Sequence, residues 1–343
     1  MKSIILTLII FAVIILIHEL GHFTAAKLSG VRVNEFSLGM GPALFRFGKG
    51  ETSYVLRAFP IGGSVSMEGE DADSEDKRAF CNKKVGFRII IIVAGAIMNL
   101  ILGFGILAGV TTSQDYVASN TIAQFEENAA TQQHGLQVGD TILKVNNRSV
   151  WVESDIVYEL TRDEDAVVDL TVRRDGKKVL LEDVAFDLRE QNGEQALVID
   201  FKVLAQPKTV GSVLDYSFRK TASIARIVWI SLGDLLTGRA SVHDLAGPIG
   251  MTQVVSQVSK IGWDSLLTLA AFITINVGIF NLLPIPALDG GRLVFLLIEI
   301  VRRGKKINPE HEAYIHLAGF AAVILLMIFV TFNDIVNLVK QAM

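Results

Sequence analysis

The stretch Ile17-His18-Glu19-Leu20-Gly21-His22 lies inside a long apolar run near the start of the chain. His18 and His22 are four residues apart, so a helix places both imidazoles on one face, where they can bind one metal ion. Glu19 occupies the adjacent position and is close enough to act on a water molecule held by that metal. The stretch therefore predicts a metal site with a carboxylate base beside it.

The segment around this motif is long enough to cross a lipid bilayer. No charged residue occurs between Ser3 and Ile17, and apolar residues continue after the motif as far as Lys27. A membrane helix needs about 20 mostly apolar residues, and ionisable groups inside one are costly and usually functional. Two alternatives are a helix whose histidines bond to neighbouring helices, and a cleavable signal peptide. A histidine–glutamate–histidine cluster has no role in a signal peptide, so a metal site is favoured.

The composition is that of a membrane protein with a water-exposed part. Of the 343 residues, 50% are hydrophobic and 20% are charged, and the mean hydropathy is +0.43. The formal net charge of −4 gives no indication of nucleic-acid binding. Cys81 is the single cysteine, which excludes an intramolecular disulfide and a cysteine-based zinc site. A metal must therefore be bound by histidine and carboxylate.

The alternation of apolar and polar stretches predicts a polytopic α-helical membrane protein with four transmembrane helices. Together with the strand patterns and the charge distribution described below, the predicted fold class also has a small membrane-associated β-sheet and one inserted extracytoplasmic PDZ domain (α+β). The predicted order is a first transmembrane helix with the motif (1–30), a cytoplasmic-side β-hairpin and loop region (31–84), a second transmembrane helix (85–112), the PDZ domain (113–205), an amphipathic connector (206–262), a third transmembrane segment (263–304) and a fourth transmembrane helix (305–343). Charged residues interrupt the helical first half of the connector, which favours a location on the membrane surface over a crossing.

Two of these regions are expected to contain strands. In residues 31–84, alternating apolar and polar residues interrupted by glycines predict short strands with tight turns. A turn at Pro60–Gly63 is followed by another strand. Such a sheet could bind an extended substrate at its edge, or be a purely structural hairpin. In residues 113–205, the turn at Gly135–Asp140, a short helix at Asp155–Thr161 and two strands predict the layout of a PDZ domain. PDZ domains bind extended chains as an added strand.

A second chemical signal interrupts the third apolar segment. Pro284 and Pro286 cannot both lie in a regular helix, because each removes an amide donor, and unwound backbone at membrane depth needs protein or water around it. Asp289 follows in an apolar setting, where a nearby cation would stabilise its carboxylate. Two histidines and one carboxylate would leave the fourth zinc position open for water. Alternatively, Asp289 caps a helix that starts at Gly290, and capping can coexist with metal binding.

The distribution of basic residues predicts the orientation in the membrane. Ten Lys and Arg residues lie within residues 27–88 and four within residues 302–306. Both regions are therefore expected to be cytoplasmic, with the N-terminus, the PDZ domain and the C-terminus extracytoplasmic. This order of membrane crossings places His18 and Asp289 in the same half of the membrane.

Together these motifs resemble those of the site-2 protease family of intramembrane zinc metalloproteases, in the bacterial branch that carries a PDZ domain. The resemblance rests on five stretches, which are residues 18–22, 35–42, 60–63, 95–99 and 281–291. It implies Zn²⁺ bound by His18, His22 and Asp289, with Glu19 as the general base, in a bacterial inner-membrane protein. The implied substrates are single-span membrane proteins already trimmed by another protease, such as anti-sigma factors and signal-peptide remnants. The chain departs from many relatives at Ala96, where they have proline, and at Ser66, where they often have lysine.

Substrate binding is assigned to Asn281, Pro284, Pro286, Gly62 and Gly63. A helical substrate hides its carbonyls and must unwind first, so Asn281 is expected to bond to the freed backbone while the strands before Met67 hold it extended. Further expected partners are the lipid bilayer and an extended peptide or new chain end in the PDZ groove. A buried Asn99 is expected to join helices, and surface or packing roles are expected for His134, His243, His311 and His316.

Two other classes of function remain open at this point. In a non-catalytic membrane receptor, the PDZ domain would bind chain ends and the metal would be structural. A metal transporter would use the same ligands, although four spans without a repeated half are unusual for one. The open fourth coordination position and Glu19 favour the protease over both.

Overall fold

The structure is a computed structural model that describes residues 2–48, 50–70, 72–162, 166–191, 194–241, 245–305 and 307–342. Its helices in chain order are α1 (Lys2–Leu28), α2 (Val85–Ser113), α3 (Ala130–Gln133), α4 (Glu153–Leu160), α5 (Val210–Leu236), α6 (Pro248–Ile261), α7 (Trp263–Asn281), α8 (Asp289–Val301) and α9 (Pro309–Ala342). Its strands are β1 (Val33–Phe47), β2 (Ser53–Met67), β3 (Val117–Phe125), β4 (Thr141–Val145), β5 (Arg148–Ser149), β6 (Val167–Arg174), β7 (Lys177–Ala185), β8 (Leu188–Gln191), β9 (Glu194–Leu197) and β10 (Phe201–Gln206). The chain divides into two compact units, one formed by Met1–Ile106 with Ala225–Met343 and the other by Leu107–Ile224.

Four of the described helices are long and apolar enough to cross a membrane. They are α1, α2, α7 and most of α9, where the apolar helix runs over Glu310–Lys340. The prediction of four such helices is confirmed. The third predicted segment is in fact two helices, α7 and α8, separated by the proline-containing loop 282–288.

Small residues let the helices of the first unit approach closely. A Cβ added at Gly21 of α1 would lie 2.5 Å from the Ala94 carbonyl oxygen of α2. One added at Gly103 of α2 would lie 2.5 Å from Ile275 of α7. Small residues permit such close approach between membrane helices. Gly105 differs, because a Cβ there would meet nothing within 4 Å.

Strands β1 and β2 form one long antiparallel hairpin. The prediction of several short strands is wrong, because the glycines shift the register within the strand instead of ending it. Gly39 and Gly41 have φ angles of +89° and +84°, the bulge conformation that glycine adopts without strain. At its base the hairpin packs into the core of the first unit, which comprises Ala26, Val31, Val33, Val65, Met67, Phe80, Ile91, Ile92 and Leu296. Its far half is exposed, with Phe45 at 66% and Phe59 at 60%.

Helix α6 was not predicted. It lies in the second half of the predicted connector, and Pro248 is its first residue. Asp334 of α9 caps this helix, accepting hydrogen bonds from the amides of Gly247 (3.2 Å) and Gly250 (2.8 Å). The capping carboxylate is supplied 84 residues further along the chain, so local sequence gives no sign of it.

The second unit is built on an antiparallel sheet with the strand order β10-β3-β4-β6-β7, to which β5 adds beside β4. Its core consists of Ile122, Leu136, Ile142, Val145, Val150, Ile156, Leu160, Ala166, Val168, Leu170, Val172, Val184, Phe186 and Phe201. The carboxylate of Asp140 is fully buried and receives two hydrogen bonds from Arg174, at 2.8 and 2.6 Å. Strand β10 is at one end of the order and has an open edge.

Candidate metal centre

Three ligand atoms from distant parts of the first unit converge on one point. His18 and His22 lie one turn apart on α1, and Asp289 is the first residue of α8. The Asp289 Oδ2 atom is 3.1 Å from His18 Nε2 and 3.2 Å from His22 Nε2, and the two Nε2 atoms are 3.2 Å apart. Each histidine is only 9% exposed. The structure thus brings together the three residues that sequence analysis assigned to the metal.

This arrangement fits a zinc ion. Zinc–ligand bonds of about 2.0–2.1 Å put neighbouring ligands of a tetrahedron about 3.3 Å apart, close to the observed spacing. Among the described residues, the buried Asp289 Oδ2 atom has no hydrogen-bond partner, and one ligand atom of each of the three residues lies within 4.8 Å of the other two, so the group can share one ion. The Nδ1 atom of His22 lies 2.8 Å from the Ile91 carbonyl oxygen and donates its proton there, which leaves the lone pair of Nε2 available for a metal.

Asn99 of α2 is the neighbour of His18 Nδ1, as the Ile91 carbonyl is the neighbour of His22 Nδ1. It is fully buried, its Nδ2 atom is 3.4 Å from His18 Nδ1, and its Oδ1 atom finds no hydrogen-bond partner within the part of the chain that the structure describes. Exchanging the amide nitrogen and oxygen, which have nearly the same shape, lets Oδ1 accept the proton of His18 Nδ1. Both histidines then present Nε2 to the metal. Asn99 is buried as expected, and it lies against a candidate ligand as well as between helices.

Gly95 of α2 provides the space in which the imidazoles sit. A Cβ at this position would lie 2.4 Å from His22 Nε2 and 2.7 Å from His18 Cε1. These distances are shorter than van der Waals contact, so any larger residue displaces the two rings.

Glu19 and the second strand of the hairpin meet beside this centre. A Cβ at Gly63 of β2 would lie 2.8 Å from Glu19 Cγ and 3.1 Å from Ile15. Gly62 has a φ of +80° and packs on Met40. Of the two glycines assigned to substrate binding, Gly63 therefore lies against the Glu19 side chain, and Gly62 is its neighbour on β2.

The loop before Asp289 contains the other assigned residues. Asn281 is the last residue of α7, and Pro284 and Pro286 lie in the loop. The residue at the N-cap position of α8 is Leu288, so the interpretation of Asp289 as a helix cap is wrong. The carboxylate is thereby left for the histidines of α1.

His316 of α9 was missed as a residue of this region. Its Nδ1 atom accepts a hydrogen bond of 3.1 Å from the backbone amide of Ala287, two residues before Asp289. A purely packing role is therefore a wrong prediction for this histidine. The sequence offers only the weak signal of a polar residue at the edge of an apolar span. His134 follows α3, His311 is exposed, and His243 lies outside the described residues.

Membrane-embedded helices with an H-E-x-x-H motif and a third carboxylate ligand are features of a class of metalloproteases. The sequence profile of peptidase family M50 matches residues 6–326, and the chain belongs to this family.

Similar proteins cover the chain almost from end to end. It is 38% identical over 336 residues to a protein of Clostridium acetobutylicum named as a zinc metalloprotease, with 97% of each chain covered. It is 33% identical to zinc metalloprotease RasP of Bacillus licheniformis, over 98% of this chain and 100% of that protein. It is 31% identical to the regulator of sigma-W protease RasP of Bacillus subtilis, over 98% of this chain and 99% of that protein. The protein is a membrane-bound zinc metalloprotease of the site-2 type, and its cofactor is zinc.

Proposed function

We propose that this enzyme hydrolyses peptide bonds within the transmembrane segments of single-span membrane proteins that another protease has already trimmed. The observation that carries the proposal is the His18–His22–Asp289 cluster, with Glu19 beside it, on helices apolar enough to lie in the bilayer. Anti-sigma factors and signal-peptide remnants are the proposed substrates, in regulated intramembrane proteolysis. A relative named for the regulation of sigma-W supports the first of these.

In the proposed mechanism, His18, His22 and Asp289 hold the metal and Glu19 handles the protons. Zinc, when bound, polarises the scissile carbonyl and acidifies the attacking water. Glu19 takes a proton from this water while the water oxygen bonds to the carbonyl carbon. Glu19 then delivers the proton to the leaving nitrogen as the C–N bond breaks. The Nδ1 bonds of His22 to Ile91 and of His18 to Asn99 keep both imidazoles oriented.

The substrate is proposed to lie between the hairpin and the proline loop. Gly63 lets the backbone of β2 pass close to Glu19, with Gly62 beside it, so a strand added beside β2 would bring its peptide bonds near this carboxylate. The side-chain amide of Asn281, the last residue of α7, is proposed to bond to an unwound substrate backbone. Pro284 and Pro286 keep the loop from continuing the helix and so leave room for the chain.

The second unit is proposed to be a PDZ domain that binds an extended peptide or a new chain end. Between α4 and the open edge strand β10 lies a cavity of about 450 Å³. Its lining is mainly apolar and includes Ile156, Val157, Ile199, Phe201 and Val203. A chain added to β10 would place alternate side chains in this cavity. The N-terminus, this domain and the C-terminus are proposed to be extracytoplasmic, in the inner membrane of a bacterium.

The experiment that tests the proposal is cleavage of a tagged single-span substrate in detergent by the wild type and by Glu19→Gln, with zinc measured in both. We expect only the wild type to cut, and both proteins to carry zinc, because Glu19 is not a ligand. Full activity of Glu19→Gln would show that Glu19 is not the general base. Zinc in both proteins with no cleavage of any of several substrates would favour the non-catalytic receptor.

A further inference from the structure

Helix α9 contacts the loop that precedes Asp289 at two successive turns. His316 accepts the hydrogen bond from the Ala287 amide at 3.1 Å. One turn further on, a Cβ at Gly319 would lie 2.4 Å from the Cβ and the carbonyl oxygen of Pro286. The backbone of the loop therefore rests directly on α9, and the bond to His316 fixes its position along this helix.

The residue bonded to His316 has an unfavourable backbone conformation. Ala287 has a φ of +84°, which residues with a side chain rarely adopt. Such a conformation persists only where the surroundings hold it. The hydrogen bond from its amide to His316 holds it, together with the turn closed by the 3.1 Å bond from the Leu288 amide to the Ile285 carbonyl oxygen. Asp289 Oδ2 lies two residues further along the chain, facing the histidines of α1.

The ring of His316 is itself fixed. It packs edge-on against Phe295 of α8, with ring centroids 5.5 Å apart. Because Nδ1 accepts the bond from Ala287, the ring proton is on Nε2, which is buried, lies 3.8 Å from a carboxylate oxygen of Glu312 and has no hydrogen-bond partner among the described residues. A ring with a defined tautomer, packed against Phe295 and bonded to Ala287, is suited to position the backbone to which it is bonded.

We propose that His316 is a positioning residue for the metal ligand Asp289, acting through the amide of Ala287. The inference rests on the proposed role of Asp289 as a zinc ligand. It predicts that a substitution at His316 that keeps a hydrogen-bond acceptor at the Nδ1 position has little effect on zinc binding, whereas loss of this acceptor weakens zinc binding.

Two substitutions separate these effects. In His316→Asn the amide oxygen lies about where Nδ1 is and can still accept the Ala287 proton. In His316→Gln the amide group reaches the position of Nε2 and leaves the Nδ1 position without an acceptor. Both are polar, uncharged and of similar size. His316→Gln is expected to release zinc to a chelator about tenfold faster than the wild type, as is typical when a group that supports a ligand is lost. His316→Asn is expected to stay close to the wild type.

The measurement uses the full-length enzyme in detergent, with zinc release followed by a chromogenic chelator. The visible absorption spectrum of the cobalt-substituted enzyme serves as a second readout of ligand geometry. In His316→Gln we expect a changed cobalt spectrum and a lower kcat at nearly constant KM. The exposed His311, on the same helix, provides the matched control as His311→Gln, which should behave as the wild type.

Two results would overturn the proposal. One is a zinc release rate and cobalt spectrum in His316→Gln equal to those of the wild type, and the other is equal effects of the Asn and Gln variants. Asp289→Asn distinguishes this failure from that of the proposed ligand set. If Asp289→Asn releases zinc rapidly while His316→Gln does not, only the positioning role is wrong. If Asp289→Asn holds zinc as the wild type does, Asp289 is not a ligand, and both the proposed ligand set and the positioning role of His316 are wrong.

Discussion

At the scale of single residues, the centre depends on groups that sequence spacing reveals and on groups that it does not. The four-residue spacing of His18 and His22 predicts that they share a helix face, and they do. Asp289 was assigned from its apolar setting and from resemblance, and it lies within 3.2 Å of both. Gly95 and His316 act through contacts with residues far away in sequence, so only the folded chain shows their places. The roles of all these residues in catalysis stay predictions.

Gly95 allows the sharpest test at this scale. In Gly95→Ala the added methyl group would meet His22 Nε2 at 2.4 Å, so we expect displaced imidazoles and a loss of zinc affinity of about tenfold or more. The change should be seen as zinc lost on dialysis against a chelator. Gly105→Ala, on the same helix, is the matched control, because its methyl group would meet nothing within 4 Å. Retention of zinc by Gly95→Ala at the wild-type level would contradict the tight fit of the two rings.

At the scale of elements, the apolar spans were predictable because about 20 consecutive apolar residues have few other uses. Elements that depend on tertiary contacts were not. The hairpin was divided into short strands because glycine usually ends a strand, whereas Gly39 and Gly41 form bulges inside one. Helix α6 was missed because its cap comes from Asp334 on α9.

The cap on α6 leads to a prediction for this helix. Asp334→Ala removes the acceptor of two amides, and we expect it to destabilise the first turn of α6 by about 1–2 kcal/mol. Hydrogen exchange in detergent should show faster exchange at Met251 and its neighbours, with little change in α7. The exposed Asn337, one turn away, is the control as Asn337→Ala. Unchanged exchange in the first turn would mean that packing alone holds the start of α6.

At the scale of the whole molecule, the sequence predicted an inserted domain at residues 113–205, and the second compact unit comprises Leu107–Ile224. Strands β4, β6 and β7 and the short helix α4 lie near the expected places, because alternation and turn residues are local signals, whereas β3, β8, β9 and β10 were not predicted. The boundaries differ because the start of α5 packs onto this unit. There Tyr216 donates a 2.7 Å hydrogen bond to Glu153 of α4, and Ser223 donates one to Asp155. Helix-on-helix contacts of this kind are not visible in strand periodicity.

Each unit has its own core, so we expect the second unit to lose stability without loss of zinc from the first. Arg174 is the residue to change, because its bidentate bond neutralises the buried Asp140, whose carboxylate in turn raises the pKa of Arg174 above its usual range. Arg174→Ala removes the charged partner of the buried Asp140 carboxylate and leaves it the 2.9 Å bond from the Gln137 amide, which costs about 3–5 kcal/mol. Hydrogen exchange should become faster throughout β3, β4 and β6, while the zinc content stays that of the wild type. The exposed neighbour Arg173 serves as the control as Arg173→Ala. Loss of zinc in Arg174→Ala alone would show that the fold of the second unit supports the metal centre, and the two cores would then have to be treated as one cooperative system.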